Sequence, residues 1–189
     1  MSVGRYWIYI IFYPNSSFSR ITVAHLNSCR NCSSLPSLGQ LPSLQDFFVF
    51  GFDEVITMDA DFYGSGSSTI TPFQSLKKLR FEEMSKWEKW FPYHGEGKDG
   101  GTFPSLQELC LEECPKLSGS LSKHLPSLNI FDINGCELLE TSLPTAAPIC
   151  ELGLRYCNDA FSLSLSLLLL ILERDRSYKS KLKSMVRWP

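Results

Sequence analysis

The sequence predicts an α/β repeat solenoid, and three observations lead to this fold class. A short phrase, made of an apolar residue, Pro or Gln, Ser and Leu, begins at Leu35, Leu41, Phe73, Phe103 and Leu125. The phrase opens a longer ladder of apolar residues in most of its copies, and the ladder returns every 21 to 32 residues. Self-similarity at this period is typical of stacked repeats, because one unit cannot bury its apolar side without its neighbours.

The ladder has five positions, at offsets 0, 3, 6, 8 and 11 from its first residue. Its six copies are Phe18, Ile21, Ala24, Leu26, Cys29; Leu41, Leu44, Phe47, Val49, Phe52; Phe73, Leu76, Leu79, Phe81, Met84; Phe103, Leu106, Leu109, Leu111, Cys114; Leu125, Leu128, Phe131, Ile133, Cys136; and Ala146, Ile149, Leu152, Leu154, Cys157. This is the leucine-rich-repeat pattern L-x-x-L-x-L-x-x-N/C. Offsets 6 and 8 point to the same side of a short strand. The pattern therefore predicts a horseshoe fragment with short parallel strands on its concave side and irregular loops or short turns on its convex side.

The ladder also divides the chain. Residues 18–160 form the predicted leucine-rich-repeat domain of about six irregular repeats. Residues 1–17 form a degenerate N-terminal segment, and residues 161–189 form a Leu/Ser-rich segment with a basic tail. Two long intervals between ladders contain residues 53–71 and 85–101, which are rich in Gly, Ser and acidic residues and are predicted to be surface loops. Neither end resembles a polar cap, so we expect a fragment of a longer array.

Charge and hydropathy limit the classes of partner. The net charge is −2, whereas a general nucleic-acid binder should carry a basic stripe, so no nucleic-acid partner is expected. Residues 173–189 carry six Lys/Arg and two acids. The apolar segment 161–172 before this tail is shorter than the roughly 18 residues of a membrane span. We interpret the segment as an end cap or as sequence outside the array, rather than as a membrane anchor.

The seven Cys residues could serve in burial, disulfides or metal binding. Four of them close a ladder, which predicts burial, and the odd total favours a reducing compartment over a disulfide scaffold. The pair Cys29 and Cys32 has the spacing of half a zinc site, but no second pair follows at a matching distance. No metal and no cofactor are therefore expected.

No pattern of catalytic residues is found in the sequence. His25, His94 and His124 are scattered, and His25 is expected on the exposed side of its strand. The Gly-rich segment 95–101 lacks the order of a phosphate-binding loop. We therefore expect no enzyme. The aromatic segment 87–91 has two open interpretations, as packing over the core or as a recognition patch.

The residues on either side of the buried strand positions are the candidate binding residues. Stacked strands align them in columns about 4.8 Å apart, and one predicted column is Phe50, Glu82, Glu112, Asn134 and Arg155. Their mixture of acids, bases and aromatic rings suits a protein partner better than a polyanion, although a simply solvated face stays open. The predicted partner-binding residues are Phe48, Phe50, Arg80, Glu82, Glu112, Asn134, Arg155 and Tyr156.

Several longer phrases resemble one protein family over residues 13–159. They are LPSLGQLPSL, DFYG, PFQSLKKLRFEEMSKWEKW and FPSLQELCLEECPKLSG, in that order. They are similar to the C-terminal repeats of plant disease-resistance proteins, the nucleotide-binding leucine-rich-repeat receptors of the coiled-coil type. The resemblance implies a cytoplasmic, autoinhibitory and effector-sensing region. Its implied partners are a pathogen effector, a guarded host protein or the receptor's own nucleotide-binding domain.

The resemblance has limits, and two other functions stay open. No segment matches the family's nucleotide-binding domain, so the resemblance implies no ATP or ADP binding. A secreted or cell-surface repeat receptor would need a signal peptide and glycans on the sequons at Asn15 or Asn31. A ubiquitin-ligase substrate adaptor would need a ligase-docking segment, and none is found in the sequence.

Overall fold

A computed structural model describes residues 7–10, 18–64, 71–91, 93, 102–119, 121, 124–140 and 147–157 of the chain. The elements are β1 (Trp7–Ile10), a 3₁₀ turn (Phe18–Arg20), β2 (Val23–Asn27), β3 (Asp46–Phe50), β4 (Thr57–Met58), α1 (Ala60–Tyr63), β5 (Lys78–Glu82), β6 (Lys89–Trp90), β7 (Glu108–Glu112), β8 (Ile130–Asn134) and β9 (Glu151–Arg155). The described part is thus built mainly from short strands, and its single α-helix is one turn long.

Seven strands form one sheet in the order β1-β2-β3-β5-β7-β8-β9, and all neighbours from β2 onward are parallel. The pairing joins equivalent ladder positions, as in Leu79 with Leu109 and Phe81 with Leu111. The predicted parallel strands and their register are therefore confirmed. β1 differs, because it runs antiparallel to β2 and pairs Trp7 with Asn27, so it is not arranged as a further parallel copy.

The ladder residues form the core. Every position of the third, fourth and fifth copies, from Phe73 to Cys136, is buried. Burial is less complete in the last copy, where Leu152 is buried but Ile149, Leu154 and Cys157 are only partly so. Among the described residues, this last strand has a neighbouring copy on one side only. Its ladder positions are less buried because stacking against neighbouring copies is what buries them.

The serine of the recurring phrase links consecutive copies. Its hydroxyl donates a hydrogen bond to the carbonyl oxygen of the second phrase residue in the preceding copy. These bonds are Ser43 to Ser19 at 2.7 Å, Ser75 to Pro42 at 2.6 Å, Ser105 to Gln74 at 2.8 Å and Ser127 to Pro104 at 2.8 Å. Pro fits the accepting position because it keeps a carbonyl although it lacks an N–H. The second to fifth copies thus each donate to the copy before them. The first copy has Arg20 and the last has Pro148 at the serine position, and Ser37 of the phrase at Leu35 donates instead to the Asp61 carbonyl.

A residue with left-handed backbone conformation directly follows the strand of every ladder copy. It lies at offset 10 and has φ between 51° and 67° in Ser28, Gly51, Glu83, Glu113, Gly135 and Tyr156. Its N–H commonly donates to the next strand, as from Gly51 to the Glu82 carbonyl at 3.0 Å. The turn directs the following residue, at offset 11, into the core. Only the two glycines adopt this backbone without the cost that a Cβ adds.

The closing cysteines behave as predicted in the later copies and differently in the first. The thiol of Cys114 donates to the carbonyl of Glu112 at 3.4 Å, and that of Cys136 donates to Asn134 at 3.6 Å. Both side chains are buried. Cys29 is also buried, but it forms a disulfide with Cys32. Sequence reasoning did not predict this pairing, which forms because the turn after β2 brings the two Cα atoms to 5.4 Å, within disulfide range.

The two long intervals are not simply surface loops. Val55, Met58, Phe62, Tyr63 and Trp87 in these intervals are all buried. β4 pairs in parallel with β6, and single bridges extend the contact from Lys89 to Ser118 and from Gly119 to Leu139. We call these paired segments the second ladder. The prediction of surface loops holds for most described residues of the two intervals, but it missed the buried residues and the strands β4 and β6. Residues 65–70, 92 and 94–101 of the loops lie outside the described part.

Tyr63 joins the second ladder to the core. Its hydroxyl accepts a hydrogen bond from the Trp90 indole at 2.8 Å and donates one to the Phe91 carbonyl at 2.8 Å. Burial raises the pKa of this hydroxyl, and the bond from Trp90 only partly opposes that effect. Trp87 is fully buried and Trp90 packs against the core, which supports packing as the role of both indoles.

The backbone of Tyr63 contacts Gly39 and Gln40, which lie between the first two copies of the phrase. Gln40 donates its side-chain amide to the carbonyls of Tyr63 at 3.2 Å and Gly64 at 3.4 Å. A Cβ on Gly39 would lie 2.3 Å from the Tyr63 carbonyl oxygen, so no larger residue fits there. The phrases LGQLP, FYG and W-x-x-W, which are far apart in sequence, thus converge on one buried tyrosine.

We predict that Ser105→Ala lowers the free energy of unfolding by about 1 kcal/mol, because the Gln74 carbonyl loses its donor. Urea unfolding followed by circular dichroism measures this change. Ser34→Ala is the matched control, since Ser34 is an exposed serine outside the linking positions, and it should leave the midpoint almost unchanged. Equal midpoints for the two variants would contradict the linking role.

We predict that Tyr63→Phe lowers the free energy of unfolding by about 1 to 3 kcal/mol, because the Trp90 indole and the Phe91 carbonyl lose a shared buried partner. Tyr156→Phe removes the same hydroxyl from a side chain that is 66% exposed and should cost little. The midpoint of thermal unfolding compares the two. A loss no larger for Tyr63→Phe than for Tyr156→Phe would show that the hydroxyl is not essential to the junction.

Candidate functional site

The candidate site is the side of the main sheet opposite the ladder, which we call the open face. Its side chains alternate with buried ones along each repeat strand, and strand pairing aligns them in three columns. The first column contains Val23, Asp46, Lys78, Glu108, Ile130 and Glu151. The centre column contains His25, Phe48, Arg80, Cys110, Asp132 and Gly153. The third column contains Asn27, Phe50, Glu82, Glu112, Asn134 and Arg155.

Seven of the eight predicted residues lie in the columns of this face, spread from β3 to β9. Phe48 and Arg80 are neighbours in the centre column. The predicted column from Phe50 to Arg155 is confirmed residue by residue as the third column. Tyr156 follows β9 at a left-handed position and is 66% exposed. The predicted strand residues are partly exposed, as the strand period indicates. Their part in binding stays a prediction.

One end of the face is aromatic. The rings of His25 and Phe48 lie 4.6 Å apart at a tilted angle, and Phe50 flanks them in the third column. All three side chains are partly exposed. Sequence reasoning placed His25 on the exposed side but did not select it as a binding residue, although its offset is that of Phe48.

The middle of the face is charged. The Arg80 guanidinium lies 2.7 Å from a Glu112 carboxylate oxygen and 3.2 Å from Glu82. Partial burial lowers the pKa of Arg80, but the two neighbouring carboxylates outweigh this effect and raise it overall. The Arg80 side chain is 41% exposed, so each pair contributes at most about 1 kcal/mol to stability. Their main effect is to fix where the charges point.

Two further ion pairs connect neighbouring strands. Lys78 lies 3.3 Å from Glu108, and Arg155 lies 3.3 Å from Asp132. A Cβ on Gly153 would lie 2.4 Å from an Asp132 carboxylate oxygen, so the glycine leaves the space that this carboxylate occupies. Sequence reasoning noted Asp132 but not its pairing, because an ion pair depends on side-chain rotamers that the repeat spacing does not define.

Cys110 lies at the centre of the face. Its thiol lies 3.7 Å from a Glu108 carboxylate oxygen, to which it donates a weak hydrogen bond. Burial, together with the charges of Glu108 and Asp132, raises the pKa of Cys110 to about 12. The group is therefore a neutral thiol at physiological pH and a weak nucleophile.

The open face offers binding chemistry through charged, aromatic and amide side chains. Within the described ranges, no group of three or more His, Cys, Asp or Glu residues is arranged to hold a metal ion. In the same part of the chain, no helix is both long and apolar enough to cross a bilayer. Of the other histidines, His124 is exposed and His94 lies outside the description, together with the Gly-rich segment 95–101.

Comparison with known proteins finds similar plant proteins. Disease resistance RPP13-like protein 1 of Arabidopsis thaliana is 39% identical over 128 residues, which is 66% of this chain and 12% of the relative. A second disease resistance protein of that plant is 39% identical over 129 residues, or 68% of this chain and 9% of the relative. Disease resistance protein RGA2 of Solanum bulbocastanum is 31% identical over 123 residues, or 63% and 12%.

The chain therefore spans about a tenth of the length of the curated relatives it matches. No protein-family model matches the chain. No solved structure matches it either.

We predict that iodoacetamide modifies Cys110 at pH 8 more than about a hundredfold more slowly than an ordinary exposed thiol, because a pKa near 12 leaves little thiolate. Peptide mass spectrometry measures the rate, with the free and exposed Cys150 as the internal reference. The Cys110 rate should keep rising as the pH approaches 12, and unfolding in urea should make the two rates equal. Comparable rates in the folded chain would contradict the raised pKa.

Proposed function

Because the chain is homologous to plant disease resistance proteins over about 60% of its length, we propose that it is a protein-recognition segment of such a receptor. In this proposal the parallel sheet and its ladder form a leucine-rich-repeat solenoid. The open face is its concave binding surface, and the segment carries out no catalysis.

The observation that carries the proposal is the alignment of the open face. Six parallel strands place side chains of the same offset in continuous columns over a buried apolar backing. A broad surface of this kind, with aromatic residues beside ordered charges, suits a folded protein better than a small molecule. From β2 to β8 each strand of the backing is hydrogen-bonded on both sides, so little ordering cost is expected to accompany binding.

We propose that the segment acts in the cytoplasm in defence. There it would sense a pathogen effector or a guarded host protein, or hold the receptor inactive by contacting its nucleotide-binding domain. Homology to the named disease resistance proteins supports the defence role. The surface indicates only the class of partner. This is a protein whose own surface complements mixed charges next to aromatic rings.

A second candidate, a secreted or cell-surface repeat receptor, is favoured by one observation. The Cys29–Cys32 disulfide is of a kind that persists in oxidising compartments, and Asn31 of a glycosylation sequon lies between the two cysteines. Mass spectrometry of the chain isolated from leaf tissue distinguishes the two. Reduced Cys29 and Cys32 with no glycan on Asn31 support the cytoplasmic proposal, whereas an oxidised pair with a glycan supports the secreted one.

We predict that the double substitution Phe48→Ala/Tyr156→Ala, in the centre column and at the border of the open face, weakens partner binding by about tenfold or more, because aromatic anchors dominate protein interfaces. Proximity labelling in leaf tissue identifies candidate partners. Each purified candidate is then titrated against the full chain and its variants by calorimetry.

Ile56→Ala/Phe91→Ala is the matched control for this experiment. It also removes two exposed apolar side chains, 48% and 44% exposed, but from the second ladder. Partner affinity should stay within about twofold of the unsubstituted chain. A control that weakens binding as much as the open-face variant would show that the open face is not the recognition surface.

A further inference from the structure

Four carboxylates lie together at one border of the open face. Glu82 ends β5, Glu112 ends β7, and the two are register partners. Glu83 and Glu113 follow them directly, and both are exposed. We call these four residues the acidic cluster. Among the described residues, Arg80 is the cation that pairs with the cluster, through Glu82 and Glu112, so negative charge remains in excess.

Two members of the cluster occupy backbone positions that do not favour them. Glu83 and Glu113 have φ of 53° and 52°, at the offset where the second and fifth ladder copies have glycine. A side chain in this left-handed region costs stability, and Ser28 and Tyr156 have the same backbone conformation in the first and last copies. The cost is repeated in two neighbouring copies, and in both it places an exposed carboxylate beside the same column.

The open face as a whole, with Glu82 and Glu112 included, has an excess of negative charge. Its strand positions carry six acids, Asp46, Glu82, Glu108, Glu112, Asp132 and Glu151. They carry three bases, Lys78, Arg80 and Arg155, and each base is already within 3.3 Å of an acid on this face. A partner with added acids would meet repulsion here, whereas a partner with added bases would meet unpaired carboxylates.

An apolar patch lies next to the acidic cluster. Phe50 is the register partner of Glu82, and Phe48 is the register partner of Arg80. Neighbouring strands are about 4.8 Å apart, so one short segment can contact both regions. Phe48 is also held in place by the His25 ring at 4.6 Å.

We propose that the open face binds a protein segment in which Lys or Arg side chains adjoin an apolar one. The basic groups pair with the acidic cluster, chiefly with the exposed Glu83 and Glu113. The apolar side chain covers Phe48 and Phe50. The inference rests on the proposed recognition function and adds to it the chemical class of the partner.

The test uses the full chain and two synthetic peptides. The first alternates Lys and Arg with Gly and ends in Trp-Leu, and the second replaces every basic residue with Glu. Fluorescence anisotropy should show that the basic peptide binds and the acidic one does not. Its affinity should fall about tenfold between about 0.05 M and about 0.3 M salt, because screening weakens exposed ion pairs. Equal binding of both peptides, or no binding of the basic peptide, overturns the proposal.

Two double variants locate the site. Glu83→Gln/Glu113→Gln removes two charges at exposed positions and should weaken the basic peptide about tenfold. Glu88→Gln/Glu140→Gln removes two exposed charges outside the acidic cluster and should change its affinity less than twofold. Equal effects of the two variants would show that only net charge matters, which would overturn the site.

The apolar contact has a separate readout. Phe48→Ala should weaken the peptide that ends in Trp-Leu but not a version that ends in Gly-Gly. An equal effect on both peptides would overturn the apolar contact. For a natural partner found by its dependence on the open face, binding unaffected by Glu83→Gln/Glu113→Gln and by salt would refute this inference while leaving the recognition function intact.

Discussion

Every layer of this structure depends on hydrogen bonds from one copy of the ladder to the next. A single copy offers a five-residue strand and a stripe of apolar side chains that it cannot bury alone. The phrase serines donate backward, as from Ser105 to the Gln74 carbonyl, while the strands pair laterally in equivalent register. The core and the open face are therefore two results of one constraint, since aligning the buried positions also aligns the exposed ones.

That constraint explains why so much of the main sheet could be predicted from sequence. Positions two apart on a strand share a side, so a buried pair such as Leu109 and Leu111 requires Cys110 between them to face outward. The third column follows from the same arithmetic without knowledge of any contact. What the spacing could not supply was the pairing of charges across the face, because contacts such as that of the Arg80 guanidinium with Glu112 depend on side-chain rotamers.

The second ladder was missed for a different physical reason. Gly, Ser and acidic residues dominate its surroundings, so composition favours a loop, and the buried Tyr63 lies at no offset of the repeat. Trp87 lies at offset 14, which is buried in four successive copies (Val55, Trp87, Leu117 and Leu139) but was not included among the five ladder positions. The burial of Tyr63 depends on contacts between segments that are distant in sequence. Its hydrogen-bond partner Trp90, for example, lies 27 residues further along the chain. The disulfide was missed similarly, because the turn geometry after β2 decides whether Cys29 and Cys32 meet. Sequence periodicity predicts the strands and core positions that recur in every copy. It does not predict the structure of the segments that are particular to one interval.

The left-handed residue after each strand shows how such a fold can carry a variable surface. The backbone must turn there to bury offset 11, and the turn needs no particular side chain, since Ser28, Gly135 and Tyr156 all make it. Glycine is the least strained choice, so a larger residue lowers stability at the turn without disturbing the core. At Glu83 and Glu113 this position places charges beside the open face. The turn therefore accepts different side chains, and different charges, at the border of the open face, while the residue at offset 11 is directed into the core in every case.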